Sequence, residues 1–398
     1  MDSTSSGAAR SRRPKLAALS GIRIVAAMHI YLFHLKQAHD AGLLTFRAFG
    51  MLPAPLAWLL ARGCVSTGFF FVLSGFLMAY AYLDADGLPK VADRAFWRAR
   101  FRRLYPLYLV SLLLLLPAPA LLPITPKNLS LAETLGGVAT SLTLTQAWFP
   151  AFALFWNAPA WALSAFAAFY AAFPAFARAT SRLGPRGLLR LAVGLSFASL
   201  LPMAAYMLID PRGDALTATA ITRGGFWLNL LRFNPLSWLP QFLAGVALGR
   251  LFAIGVDSGK IAIADRPSRR PSTGDAATAF ALGVLMFAPS IPYVMMRHGL
   301  LTPLYLLILW DLGRGRGALA YVASGRLLGR LSEASFGLFA LQMPVGVWFM
   351  YLTLVGPNGT TAHLIGMIAA TLGTSVLWSE VVQRPVRSRV KARRVATA

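Results

Sequence analysis

Acidic residues are scarce in this chain and cysteine is almost absent: 14 Asp and Glu and one Cys among 398 residues, against 38 Lys and Arg. The lone Cys64 excludes an intramolecular disulfide and any thiolate metal cluster. The five histidines are scattered, with no HxxxH pair and no His/carboxylate cluster, so no metal-ligand spacing is read. Neither the Walker phosphate loop nor a glycine-rich dinucleotide fingerprint occurs. Charge of either sign is thin, at 13% of residues.

Apolar sequence is what the chain has in abundance. It is 57% hydrophobic, with a mean hydropathy of +0.60. Apolar runs fall near 16–36, 64–83, 104–123, 159–178, 187–209, 235–254, 276–293, 299–312, 331–354 and 362–383. Most are long enough to cross about 30 Å of hydrocarbon as helices, so the expected fold is all-α, a polytopic membrane protein with about ten transmembrane helices. The net charge of +24 would suggest nucleic acid in a soluble protein. Membrane topology gives a plainer cause. With the N-terminus placed in the cytoplasm and ten alternating crossings, 29 of the 38 Lys and Arg residues fall on the inner side and both termini are cytoplasmic. No nucleic-acid partner is expected, and the bilayer is the surrounding medium.

Three parts follow: a basic, disordered cytoplasmic tail over 1–15, a membrane domain over 16–384, and a second basic cytoplasmic tail over 385–398. Residues 131–148 are mildly apolar and rich in Thr and Gly, and would break the parity of crossings; they are read as part of an outer loop or a partly inserted element. The stretch 255–274 is the expected flexible inner linker. No signal-peptide cleavage pattern follows the first apolar run, which is expected to remain as a helix.

The first run carries the best clue to chemistry. Arg23 and His34 are eleven residues apart; at about 100° per residue they return to one helix face, separated by about 16 Å along the axis. Ionisable groups at membrane depth are costly and face a protein interior or a water-filled path. The second run reads STGFFFVLSGF, where Gly68, Ser74 and Gly75 allow close backbone approach, a packing feature when taken alone. FWRARFRRLYP follows on the inner side. It reads as a positive-inside anchor, or more sharply as a phosphate clamp, since Arg100 and Arg103 stand three apart on one helix face.

The order of Arg23, His34, FFFVLSGF, the Arg100/Arg103 pair running into LYPLY, and NAPAWALSAFAAFYAAFP resembles the acyltransferase 3 family of integral membrane proteins. FNPLSWLPQFLAGVALGR and LSEASFGLFALQMPV resemble later stretches of that family, so the likeness covers about 16–385. The resemblance implies a ten-helix enzyme that moves an acyl group, commonly acetyl from acetyl-CoA or another acyl-CoA, to a hydroxyl of a sugar or other acceptor. It implies catalytic or essential roles for Arg23 and His34 and donor handling by Arg100 and Arg103, while the cysteine and histidine spacing already gives no reason to expect a metal. The chain resembles the stand-alone type, without a fused soluble domain. Two positions depart from the family pattern: Phe166 stands where a Glu is usual, and Gln342 where a His is usual. Each change deletes a titratable group, which points either to a divergent, greasier acceptor pocket or to weakened activity.

On this reading His34 serves as general base and Arg23 sits on the donor path or stabilises developing charge. An acyl-enzyme on His34 or on Ser74 is an alternative, and Asn157, Trp161, Ser164 and Tyr170 are candidates for orienting the acceptor, although Trp and Tyr there also suit an interfacial belt. Asp311 and Glu333 suit salt bridges or caps, and Glu380 a pair with Arg384. The acceptor class stays open among carbohydrate, polysaccharide, lipid and natural product. A bacterial plasma (inner) membrane is the expected location. Two other readings remain: a transporter or flippase using the Arg23/His34 stripe, or a catalytically weakened acyltransferase-like protein.

Overall fold

A computed structural model describes residues 13–116, 129–209, 226–288, 290–291, 293–353 and 358–384. The expected tails at 1–12 and 385–398 lie outside the described residues. The principal helices are α1 (Ala17–Asp40), α2 (Val65–Tyr82), α3 (Asp93–Leu114), α4 (Leu131–Leu142), α5 (Trp161–Thr180) and α6 (Pro185–Ala198). They continue with α7 (Pro235–Asp257), α8 (Thr273–Phe287), α9 (Thr302–Arg314), α10 (Ser335–Leu352) and α11 (Thr361–Trp378). The strands among the described residues are two residues long each: Thr45–Phe46 pairs in parallel with Asn358–Gly359. The protein is an all-α, polytopic membrane protein.

Seven stretches are long and apolar enough to cross a membrane: Ala17–Asp40, Val65–Tyr82, Ala158–Thr180, Pro185–Leu208, Phe226–Asp257, Arg326–Leu352 and Thr361–Gln383. The other three expected crossings, 104–123, 276–293 and 299–312, are largely helical over their described residues, with 117–123, 289 and 292 lying outside them, but they differ in physical character. The first half of α3 holds the basic cluster, which dilutes its apolar content. Helices α8 and α9 have 15 and 13 residues, so each rises only about 20 Å, short of the hydrocarbon thickness. Helix α4, with 12 residues, is also too short to cross, as expected for 131–148. Its start is fixed by a capping box: the Ser130 hydroxyl accepts from the Glu133 N–H, and the Glu133 carboxylate accepts from the Ser130 N–H and hydroxyl. Those donated bonds hold the Glu133 carboxyl below its usual range.

The tightest packing joins α2 to α7. A Cβ on Gly75 would lie 2.1 Å from the Phe242 carbonyl oxygen, and one on Gly245 would lie 2.0 Å from the Val72 carbonyl oxygen. Only glycine permits backbones this close. Phe76 and Phe252 fill the adjoining core with tilted rings 5.3 Å apart.

Helix ends expected on the inner side come together on one basic face. Arg13 forms a two-pronged ion pair with Asp257 at the end of α7 and donates to the Tyr80 and Leu83 carbonyls at the end of α2. Thus Arg13 and Pro14, near the end of the expected tail, are held to the bundle, with Tyr80 donating to the Pro14 carbonyl. Arg178 at the end of α5 holds Asp93 at the start of α3 with bonds of 3.0 and 2.8 Å. Arg384 joins Glu333 and, at the expected i, i+4 spacing, Glu380. Asp311 caps α8, accepting from Thr273 and the Gly274 N–H. The stretch expected to be a flexible linker is pinned to the end of α9: the Ala264 and Ser268 N–H groups donate to the Arg314 and Gly315 carbonyls.

Candidate active site

Two cavities of similar size lie end to end through the helix bundle. One, of about 400 Å³, lies toward the basic face, where Pro14, Lys15, Tyr80 and Ala81 form part of its wall. The other, of about 450 Å³, lies toward the far face, where Gln37, Ala41 and Tyr351 line it. Helix α1 runs along both. Arg23 and Ile30 line the basic-face cavity, and Tyr31 and His34 line the far one. The eleven-residue spacing therefore sets the two ionisable groups on one stripe, in different chambers. His29, off that stripe, is held by the Ser66 hydroxyl and the Leu59 carbonyl. Thr67 on α2 and Phe339 on α10 line both cavities and form the partition between them.

His34 makes one side-chain hydrogen bond among the described residues: its Nδ1 lies 2.8 Å from Gln342 Oε1. The Gln342 amide is itself oriented, because its Nε2 donates to the Phe339 carbonyl at 2.8 Å. An amide oxygen can only accept, so Nδ1 carries the proton and Nε2 keeps its lone pair. Gln342, at a position where the resembling family usually has His, thus fixes the tautomer a proton acceptor needs. Most of the wall around this pair is apolar and aromatic, with Phe33 5.2 Å from the imidazole between ring centroids.

The basic-face cavity has a different chemistry. Arg23, Arg100, Arg103 and Lys15 all line it, bringing four cationic side chains from α1, α3 and the segment before α1 to one space. The Arg100 guanidinium sits over the Tyr82 ring at 4.6 Å and within 5.7 Å of Tyr170. Its buried Nε has no hydrogen-bond partner among the described residues. Phe166 packs edge-on to Phe71 at 5.0 Å and lines this same chamber. The Phe that replaces the usual Glu therefore makes the basic-face chamber greasier, not the one holding His34.

The remaining residues singled out in the sequence divide. Ser74 lines the basic-face cavity, with its hydroxyl 3.9 Å from Met78 sulfur. Tyr170 lines it too, on the side of Arg100 rather than of His34. Trp161 lines the far cavity. Asn157 and Ser164 line neither. Asn157 is 1% exposed and its amide donates to Ser111 and the Ala340 carbonyl, bracing α3 and α10. Ser164 is buried and accepts from the Ala147 N–H. Both are struts that hold the chamber walls.

Sequence reasoning missed Arg232 and Arg297, which line the far cavity with His34 while being 4% and 5% exposed. The Arg297 guanidinium lies 5.3–5.5 Å from the Trp161, Phe233 and Trp238 rings. Next to it, His298 is fully buried against Trp238, with ring centroids 4.0 Å apart. The available signal was an Arg-His pair within a largely apolar region at 291–312, the same kind of intramembrane charge that drew notice to α1.

Comparison with known proteins gives this geometry a family. Acyltransferase MdmB of Streptomyces mycarofaciens is 27% identical over 402 aligned residues, covering 96% of this chain and 95% of its own. Protein 2 in picA locus of Rhizobium radiobacter is 36% identical over 97 residues, which cover 24% of this chain and 42% of that protein. No solved structure matches. The model of the acyltransferase domain family matches residues 16–379, and the chain, with its multi-pass helical fold, belongs to that acyltransferase 3 family of membrane acyltransferases.

Proposed function

We propose that this protein is a membrane-bound O-acyltransferase that moves an acyl group, acetyl in the simplest case, from acyl-CoA to a hydroxyl acceptor. The donor enters from the cytoplasm at the basic face, which sets both termini on the cytoplasmic side of a bacterial plasma membrane. Its nucleotide phosphates meet Arg100 and Arg103, with Arg23 deeper along the same wall, where guanidinium forks suit phosphate oxygens. The pantetheine arm then runs toward the partition. The acceptor occupies the far chamber, where Trp161 offers an aromatic face to a sugar ring or a lipophilic natural product.

In the transfer step, the acceptor oxygen attacks the thioester carbonyl carbon. The new C–O bond forms, the C–S bond breaks, and the acceptor proton passes to His34 Nε2. His34 then returns that proton to the departing CoA thiolate, so acyl ester and free CoA thiol are the products. The observation that carries this reading is the His34–Gln342 hydrogen bond, which supports an Nε2 with a free lone pair in a chamber adjoining the basic-face one. A transporter would need neither the tautomer lock nor a donor.

Membranes holding the full chain, given acyl-labelled acetyl-CoA and an extract of the producing cells, are expected to release CoA and to label a glycan, lipid or metabolite. His34→Ala is expected to abolish both signals. Wild-type membranes that release no CoA above background, or a His34→Ala variant that matches wild type, would sink the assignment.

A further inference from the structure

The two chambers meet at a partition that the transfer has to cross, since Arg23, Arg100 and Arg103 line one side and His34, with Arg232 and Arg297, the other. One wall of that partition is Phe339, whose carbonyl accepts from the same Gln342 that orients His34. The other wall is Thr67, which is 7% exposed.

Thr67 differs from most helical threonines, and from Thr302, whose unpartnered hydroxyl is sealed in the core and lines neither cavity. Thr140, Thr180, Thr278 and Thr371 each turn their hydroxyl back onto a carbonyl of their own helix four residues earlier, the usual fate of a helical threonine in apolar surroundings. The Thr67 hydroxyl makes no hydrogen bond among the described residues, although it lines both cavities. A hydroxyl that opens on both cavities and has no protein partner is free to donate to a ligand acceptor placed there.

We propose that the Thr67 hydroxyl donates to the thioester carbonyl oxygen as the acyl group is handed from one chamber to the other. This rests on the acyltransferase reading above and adds a residue that touches the reacting atoms. During attack the carbonyl oxygen gains negative charge, and a fixed O–H donor in a water-poor passage stabilises that charge more than it stabilises the ground state. Thr67 keeps its proton throughout. The acceptor proton goes to His34, and the C–S electron pair leaves with sulfur.

The test uses two unreactive donor analogues and free CoA on the purified full chain. One analogue is the amide isostere of acetyl-CoA, with NH in place of sulfur, which keeps the carbonyl. The other is S-ethyl-CoA, which has the same length and lacks it. Thr67→Val is expected to weaken binding of the amide isostere about fivefold, the scale of one hydrogen bond, while leaving S-ethyl-CoA and CoA unchanged. Thr67→Ser is expected to retain the preference. Unchanged S-ethyl-CoA affinity also reports that the variant is folded, and Thr67→Ala serves as a second hydroxyl-free variant if the valine form does not accumulate. Equal loss for both analogues, or no loss for either, overturns the role of Thr67 and leaves the donor reading standing. Failure of CoA itself to bind the wild-type protein overturns the donor reading and this inference together.

Discussion

The chambers on either side of the Thr67–Phe339 partition are nearly equal in volume, about 400 and 450 Å³, yet they are built for different tasks. The one at the basic face draws cations from α1, α3 and the segment before α1, and so collects charge from parts of the chain distant in sequence. The far one has a mostly apolar and aromatic wall around one oriented imidazole, with the nearly buried Arg232 and Arg297 as its cations. On the proposed reading, a charged, soluble donor and a less polar acceptor are held at once without either occupying the other's place, and their reacting ends meet at the partition.

That division can be broken from either side. The largest effect is expected from His34→Ala, which should lower CoA release by about 10²–10⁴-fold, the usual share of a general base, while leaving CoA binding intact. Loss of CoA binding in that variant would mean that the chambers are not separate in function. Arg100→Ala with Arg103→Ala should act in the opposite sense, raising the donor KM by about 10–100-fold through lost charge-assisted contacts and sparing the acceptor KM. Steady-state CoA release at varied donor and acceptor reads both.

Gln342→Leu sharpens the comparison by freeing the tautomer. A drop in kcat of about tenfold is expected, with the donor KM unmoved. Gly75→Ala addresses the scaffold behind both chambers: its added methyl meets a carbonyl, and about 1–3 kcal/mol of stability should be lost by overpacking, read as a lower melting temperature in detergent. The smallest effect lies outside both chambers, at the α4 cap. Because the Glu133 carboxyl is held below its usual range, its contribution is present at neutral pH and is lost as pH falls through the depressed value. Glu133→Ala should therefore speed hydrogen exchange in Leu131–Leu142 at pH 7 and make little difference once the carboxyl is protonated.

Much of this was legible in the sequence because it depends on single helices. Apolar run length marked the helices, and the Arg23/His34 spacing set both residues on one stripe regardless of what surrounds it. The Arg100/Arg103 pair was legible for the same reason. What could not be read were relations between helices. Asn157 and Ser164 carry polar groups suited to a substrate, but whether such a group faces a chamber or braces a neighbour depends on Ser111, Ala340 and Ala147, which come from other elements. Tyr170 was expected beside the acceptor and lies under Arg100, because α5 runs past both chambers and its middle falls on the basic side. Arg232 and Arg297 join His34 only through the fold, being 65 residues apart in sequence.

The contact between α2 and α7 has a consequence for motion. Side chains between two helices can hop between rotamers and let the helices breathe, whereas backbone against backbone at Gly75 and Gly245 leaves nothing to rearrange. Because α2 forms a wall of both chambers, that wall is the stiff one. Any widening that ligand entry or release requires is left to the other walls, α1 and α10 among them, and a label that reports opening belongs there.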